Sequence, residues 1–251
     1  MNDTFTVSEA LALAVTPVAT FQGMNRLSDA SAFFFERGER LFLATSLHVL
    51  IDEPSGHAPD RIEIELHTDP DDLAVSTGFS IPLYDGNARL WRQGFDAAGE
   101  IDVAVIEIDR AALPEPAVLR AFTPAHLPER YDRVELGSSL LVVGFPLGFR
   151  DTLHHMPVAR HAIVASTYGL RFKGTGYFLT DARTHRGSSG APVVMRVADD
   201  PTRLGDLPWM LLGIHSARLD VGHRDQAVDE ALGLNCAWYP DILVTLTEPP
   251  A

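Results

Sequence analysis

Short stretches of apolar and β-branched residues recur along this chain, and glycine, proline and aspartate separate them. Residues 61–66 alternate polar and apolar side chains, which is typical of a strand with one buried face. Residues 101–106 and 139–144 are runs rich in strand-forming residues, whereas 240–246 predicts a short closing helix. Because the stretches are short and turn residues end them, the pattern predicts an all-β fold, either a barrel or a sandwich.

The predicted strands fall into two series. The first occupies residues 30–108 and the second residues 139–238. Between them, residues 111–133 are rich in proline and alanine and break the strand pattern. We therefore predict two domains, at residues 1–110 and 134–251, with residues 111–133 as the linker.

Composition narrows the function. The 251 residues are 46% hydrophobic, which is enough for one large domain or two small ones with apolar cores. The formal net charge of -14 argues against nucleic acid and membrane as partners, since both attract basic surfaces. The N-terminus lacks the basic region of a secretory signal, and no stretch is apolar enough to span a bilayer, so we expect a cytoplasmic protein. The single cysteine, Cys236, excludes an internal disulfide.

The strongest candidate for catalysis lies at residues 180–193. Here Ser189 stands in a Gly-Ser-Ser-Gly sequence, between Gly187 and Gly190. Glycines permit a tight turn that projects a hydroxyl and directs main-chain N–H groups at one point. Such a turn suits acyl transfer, because it supplies a nucleophile and an oxyanion hole together.

A serine nucleophile needs a base, and the base needs an acid to orient it. His48 follows an apolar strand-like stretch, and Asp102 lies inside a run of strand formers. An ionised aspartate in apolar surroundings requires a hydrogen-bond partner, and a histidine N–H is a natural one. Taken singly, the three residues have structural interpretations as a core histidine, a capping aspartate and a turn serine. Their order, His48, Asp102, Ser189, favours a catalytic triad of the chymotrypsin type.

Further motifs surround these residues. Ala-Thr precedes His48, Asp-Val-Ala-Val begins at Asp102, Gly-Phe-Pro-Leu-Gly occupies residues 144–148, and Thr-Asp-Ala precedes the turn of Ser189. In this order, over residues 28–240, the motifs resemble the trypsin-like serine peptidases, in particular the bacterial HtrA/Deg branch.

The resemblance implies a chymotrypsin-like fold of two six-stranded antiparallel β-barrels with the active site in the cleft between them. His48 and Asp102 would come from the first barrel and Ser189 from the second. The turn of Gly187, Ser188 and Ser189 would form the oxyanion hole, and peptide hydrolysis would proceed through an acyl-enzyme without a cofactor. The chain ends soon after the last predicted strand, so we expect no PDZ domain of the kind that HtrA proteases usually carry.

The resemblance also places Arg183, Thr184, His215 and Ser216 around the pocket for the residue before the scissile bond. Thr184 and His215 align with positions that recognise acidic side chains in glutamyl endopeptidases, and both can donate hydrogen bonds to a carboxylate. Arg183 would add positive charge. We expect a preference for Glu, Asp or Gln. The alternative is that His215 is a buried structural residue and Arg183 points to solvent.

One position departs from the family pattern. Ser188 stands where digestive relatives carry an aspartate that pairs with a newly cleaved N-terminus. The oxyanion turn must therefore be ordered in another way: constitutively, by substrate or by an activating protein partner. Two functions remain open, an endopeptidase acting on proteins or peptides and a binding module with a protease fold that is silent or awaits its partner.

A metal site is not expected. His154, His155 and His161 invite the idea, but no cysteine and few acidic residues accompany them. A solvated loop is the favoured interpretation of these histidines.

Overall fold

The computed structural model describes residues 7–197, 204–218 and 233–249. Within these ranges the chain forms fifteen strands and three short α-helices, so the predicted all-β class is confirmed. The helices are α1 (Val7–Ala12), α2 (Leu47–Leu50) and α3 (Ile242–Leu246), the last close to the predicted closing helix. The strands are β1 (Val15–Gln22), β2 (Asn25–Arg37), β3 (Arg40–Thr45), β4 (Arg61–His67), β5 (Ser76–Pro82), β6 (Tyr84–Asp85), β7 (Ala88–Arg89), β8 (Trp91–Asp96), β9 (Gly99–Ile108), β10 (Ser139–Gly144), β11 (Val158–Val164), β12 (Tyr177–Ala182), β13 (Pro192–Arg196), β14 (Trp209–Arg218) and β15 (Leu234–Trp238).

The first half of the chain forms a seven-stranded antiparallel sheet. Its strand order is β5-β4-β1-β2-β3-β9-β8, and β6 and β7 form a separate small hairpin. Ile81 on one edge strand and Trp91 on the other join the same buried apolar cluster, so the sheet curls around a single core. This half was predicted as a six-stranded barrel; in the structure β1 adds a strand, and among the described residues no ladder joins the two edges of the sheet.

The proline in β1 is compatible with a strand because of its register. Pro17 pairs with Ser31 of β2, whereas pairing of β1 with β4 begins only at Val18. Beside the proline, the hydroxyl of Thr16 donates to the carbonyl of Glu65 at 2.9 Å and accepts the N–H of Glu65 at 3.2 Å. A side chain thus replaces the main-chain ladder at the point where proline lacks a donor.

The second half forms a closed barrel of six antiparallel strands, as predicted. The order around the barrel is β10-β11-β12-β15-β14-β13. The segment that carries Ser189 connects β12 to β13 and therefore lies at the end of the barrel.

Both halves share a buried core. Phe33 from the sheet belongs to one apolar cluster with Val194 and Leu211 from the barrel. The segment 111–133 carries no named strand, but it is anchored, since Phe122 is fully buried and packs edge-on against Phe33 with ring centroids 5.7 Å apart. Among the described residues, none of the helices combines the length and apolar character required to cross a bilayer.

Candidate active site

His48 and Asp102 are joined by two hydrogen bonds within the first half. β3 ends just before α2, which carries His48, and the neighbouring strand β9 carries Asp102. Asp102 Oδ1 accepts the main-chain N–H of His48 at 2.8 Å, and Asp102 Oδ2 lies 2.8 Å from His48 Nδ1. Because the carboxylate accepts the Nδ1–H, the neutral imidazole keeps its accepting lone pair on Nε2.

The surroundings of His48 favour its protonated form. Burial by itself lowers the pKa, since it disfavours a charged ring, but the hydrogen bond and charge of Asp102 and the charge of Asp52 outweigh burial. The net effect is a pKa of His48 raised above its ordinary value. Its side chain is still 37% exposed, so a proton or a substrate can reach the ring.

Ser189 lies in a turn whose backbone conformation requires glycine at two positions, one before and one after the serine. Gly187 has a φ of +90° and Gly190 a φ of +82°, both in the left-handed region. A Cβ atom at Gly187 would lie 2.5 Å from the carbonyl oxygen of Phe145, and one at Gly190 would lie 2.2 Å from that of Ser31. These close approaches explain the Gly-Ser-Ser-Gly sequence in steric terms.

The N–H groups of this turn divide into two sets. Those of Ser188 and Gly190 donate to main-chain carbonyls, at 3.1 and 2.8 Å. Those of Gly187 and Ser189 have no hydrogen-bond acceptor among the described residues. The turn therefore presents two donors to a ligand, and Ser188, which was predicted as part of the oxyanion hole, supplies none because its N–H is already bonded.

Ser216 connects the two halves of the site. Its hydroxyl donates to Asp102 Oδ2, and its carbonyl accepts the hydroxyl of Ser189 at 3.0 Å. The structure thus brings Ser189, Asp102 and His48 together, although the Ser189 hydroxyl is bonded to Ser216 rather than to His48. The sequence interpretation assigned Ser216 to substrate binding and missed its bond to the aspartate.

The hydroxyl of Thr184 is directed inward. It donates to Asn235 Oδ1 at 2.5 Å, and both residues are almost fully buried. The Asn235 amide donates to the carbonyls of Ala182 and Gly233, each at 2.9 Å, which fixes its orientation. Asn235 was missed in the sequence, although a polar residue within an apolar strand segment was a signal for it.

The other two residues predicted to line the substrate pocket, His215 and Arg183, lie in different surroundings. His215 is 2% exposed, and its main chain accepts from Gly190 and donates to Ala191, both at 2.8 Å. Arg183 is exposed and lines a surface pocket together with Arg160 and residues of β11 and β12. The structure does not place the Arg183 guanidinium with Thr184 and His215, because neighbouring residues of an extended chain point to opposite sides.

Two recesses flank the catalytic candidates. A cavity of about 280 Å³ is lined by His48, Asp102, Asp52 and Glu53. A larger groove of about 800 Å³ runs beside the serine turn and includes His185 and the exposed apolar side chains of residues 147 and 149. One recess thus adjoins the His48–Asp102 pair, and the other reaches His185, two residues before Gly187.

The structure also describes the surroundings of two other titratable residues, Cys236 and His154. Burial raises the pKa of the Cys236 thiol to about 11, so it is protonated at neutral pH. His154 pairs with Asp151 at 2.5 Å. No group of three or more His, Cys, Asp or Glu side chains suited to a metal ion occurs in the part of the chain that the structure describes.

Comparison with known proteins identifies the family. Residues 30–197 match the model of the trypsin-like peptidase domain. Among solved structures, the chain is similar to the serine endoprotease from Yersinia pestis, with 16% identity and a TM-score of 0.52. That similarity covers 95% of this chain and 63% of the Yersinia chain, so this chain spans less than two thirds of that protein's length. No curated protein sequence matches the chain.

The matched region contains His48, Asp102 and Ser189 and covers most of the chain. The chain belongs to the trypsin-like peptidase domain family.

Proposed function

We propose that the protein is a serine endopeptidase that hydrolyses peptide bonds in proteins or peptides. Ser189 is the nucleophile, and His48 accepts its proton through Nε2 and later returns it to the leaving amine. Asp102 holds the imidazole in the required tautomer and stabilises the imidazolium. The N–H groups of Gly187 and Ser189 bind the oxyanion of the acyl-transfer step.

A single feature carries this proposal: Ser216 is bonded to both Asp102 and Ser189, while the turn around Ser189 keeps two N–H groups available. A buried polar group normally has a hydrogen-bond partner, so two unpaired donors beside a nucleophilic hydroxyl are typical of a site that awaits an anionic oxygen. A rotation about the Cα–Cβ bond of Ser189 turns its hydroxyl from the Ser216 carbonyl toward another acceptor.

The second candidate is a binding module that is silent or requires an activating partner. The bond from Ser189 to the Ser216 carbonyl supports it, because the hydroxyl is not bonded to its base in this conformation.

Labelling with a fluorophosphonate probe distinguishes the candidates, since the probe reacts with an activated serine. We expect wild type to be labelled and Ser189→Ala to remain unlabelled. If neither protein is labelled, the binding module is favoured. Equal labelling of both would mean that another serine is the nucleophile.

For specificity, we propose a preference for Glu, Asp or Gln before the scissile bond, based on the alignment of Thr184 and His215 with glutamyl endopeptidases. In the structure the hydroxyl of Thr184 is directed inward, His215 is 2% exposed, and Arg183 lines a surface pocket without them, so this proposal rests on the alignment alone. A peptide library with Glu, Gln, Lys and Leu at this position provides the test. Equal cleavage, or a preference for Lys, would overturn the acidic preference without affecting the proposed reaction.

A further inference from the structure

Ser31 on β2 is a buried residue of the first half that contacts the serine turn of the second half. It is 0% exposed. Its hydroxyl donates to the carbonyl of Gly187 at 2.7 Å and accepts the N–H of Phe145 at 2.9 Å. One side chain therefore binds the turn and the adjacent loop at once, and both of its hydrogen-bonding functions are used.

The main chain of Ser31 is bonded to the same turn. Its N–H donates to the carbonyl of Ser189 at 2.9 Å, and its carbonyl accepts the hydroxyl of Thr45 at 2.8 Å. This is feasible because β2 pairs with β3 only from Phe33 onward, which leaves the N–H and C=O of Ser31 beyond the ladder. Beyond the end of the β2–β3 ladder, β2 thus continues its main-chain hydrogen bonding to the turn of Ser189.

These contacts fix the orientation of the peptide groups in the turn. The carbonyl of Arg186 accepts the N–H of Leu147 at 2.5 Å, so the N–H of the same peptide group, that of Gly187, points the opposite way. The Ser31 hydroxyl holds the next carbonyl, that of Gly187, against rotation. With these two carbonyls occupied, the Gly187 N–H stays available to a ligand rather than being replaced by a carbonyl oxygen.

We propose that Ser31 is the positioning residue that keeps the oxyanion turn in its receptive conformation without an activating partner or a new N-terminus. In digestive relatives an aspartate orders this turn by pairing with a new N-terminus. Ser188 stands at that position and has no carboxylate, so we assign the ordering of the turn to Ser31. The inference rests on the proposed peptidase function and adds to it that the resting protein is already competent.

The test compares Ser31→Ala with a matched control. In Thr16→Val, a similarly buried hydroxyl that also donates to a carbonyl and accepts an N–H is removed, but on the β1–β4 side of the sheet. We expect Ser31→Ala to lower kcat by roughly 10- to 100-fold with little change in KM, less than the about 10²–10³-fold typical of a lost oxyanion donor. Thr16→Val should retain kcat despite a comparable loss of thermal stability.

Two further measurements separate the outcomes. The pKa of His48, followed by NMR, should be the same in Ser31→Ala and wild type, which shows that the variant is folded and the His48–Asp102 pair intact. Wild type that hydrolyses peptide while Ser31→Ala keeps full kcat would overturn the positioning role. Wild type that is active only after addition of a partner would overturn intrinsic competence. Wild type that neither hydrolyses peptide nor reacts with the fluorophosphonate would instead overturn the proposed function.

Discussion

The two halves of the site are stabilised in different ways. The pair of His48 and Asp102 is built within the first half, from neighbouring strands and two hydrogen bonds of 2.8 Å. The turn of Ser189 belongs to the barrel, but its carbonyls at Gly187 and Ser189 are bonded to Ser31 of the other half. The His48–Asp102 pair is thus positioned by its own sheet, whereas the turn of Ser189 depends on how the halves pack together.

This difference indicates which substitutions should affect each half of the site. A change that loosens the contact between the halves should damage the oxyanion turn before it affects the imidazole. A change at Asp102 should do the reverse, since the turn makes no direct hydrogen bond to that carboxylate. The following variants test this contrast between the His48–Asp102 pair and the turn of Ser189.

The largest effect is expected for Asp102→Asn. The amide has only one accepting oxygen, and when that oxygen accepts the main-chain N–H of His48, the NH2 group faces Nδ1 as a donor. His48 then loses the required tautomer and the negative charge that stabilises its imidazolium. We expect kcat to fall by about 10⁴-fold, as in triads of this type. Steady-state kinetics with a peptide substrate provides the measurement, and an unchanged circular dichroism spectrum is the control for folding. A loss below 10-fold would remove Asp102 from the mechanism.

Gly187→Ala breaks the other half of the site. The new Cβ would meet the carbonyl oxygen of Phe145 at 2.5 Å in a left-handed conformation, so the turn must shift. We expect kcat to fall by about 10²–10³-fold, the range for a lost oxyanion donor, while the pKa of His48 stays as in wild type.

The matched control for this variant is Gly174→Ala. Gly174 has a φ of +81° with open space around its Cα, so it carries the same backbone strain without the clash. Its kcat should equal that of wild type. If kcat fell equally in the two variants, the effect of Gly187→Ala would be due to general destabilisation rather than to the loss of an oxyanion donor.

Ser216→Ala tests the link between the halves. The hydroxyl of Ser216 donates to Asp102 Oδ2, and a hydrogen bond to a charged group is worth about 1.5–3 kcal/mol. We expect roughly a 10-fold loss in kcat/KM, which corresponds to the lower end of that range. Ser76→Ala, which removes a hydroxyl bonded to the carboxylate of Glu65, should have no such effect. A loss as large as that of Asp102→Asn would mean that Ser216 acts directly on the substrate.

The smallest effect concerns pH. His48 must be neutral to accept the Ser189 proton, and its pKa lies above the ordinary value of 6.5, so kcat/KM should rise with pH through a midpoint above 6.5. Asp52 contributes to this raised pKa by its charge. Asp52→Asn should therefore move the midpoint to lower pH, whereas Asp71→Asn, an exposed carboxylate in the β4–β5 turn, should leave it in place. A midpoint at or below 6.5 in wild type would contradict the effect that we assign to Asp102 and Asp52 on the pKa of His48.

Much of the fold was predictable, because the local signals agreed with the tertiary structure. The short stretches between turn residues identified most of the strands, and the second half closes into the predicted six-stranded barrel. β1 was missed, since Pro17 argues against a strand and only the register shows that its missing donor is tolerated. The first half therefore has a sheet of seven strands, one more than the six that were predicted.

The site was predictable to the extent that its residues stand in short motifs. His48, Asp102 and Ser189 were predicted as a triad from their local contexts, and in the structure hydrogen bonds through Ser216 link them. Their catalytic roles remain a proposal. Ser31 and Asn235 were not found, because a polar residue in an apolar stretch signals a buried hydrogen bond but not its partner, and Gly187 and Thr184 lie far away in the sequence. The acidic preference remains a prediction.

The chemical groups, their order and the glycines at positions 187 and 190 could be read from the sequence, because they depend on short motifs and on local backbone sterics. Tertiary structure decided which N–H groups of the turn stay available, that the hydroxyls of Thr184 and Ser216 face Asn235 and Asp102, and that Ser31 holds the turn from the other half. The side-chain bonds among these join residues 51, 114 and 156 positions apart, so they depend on how the strands and the two halves pack, which short stretches of sequence do not specify.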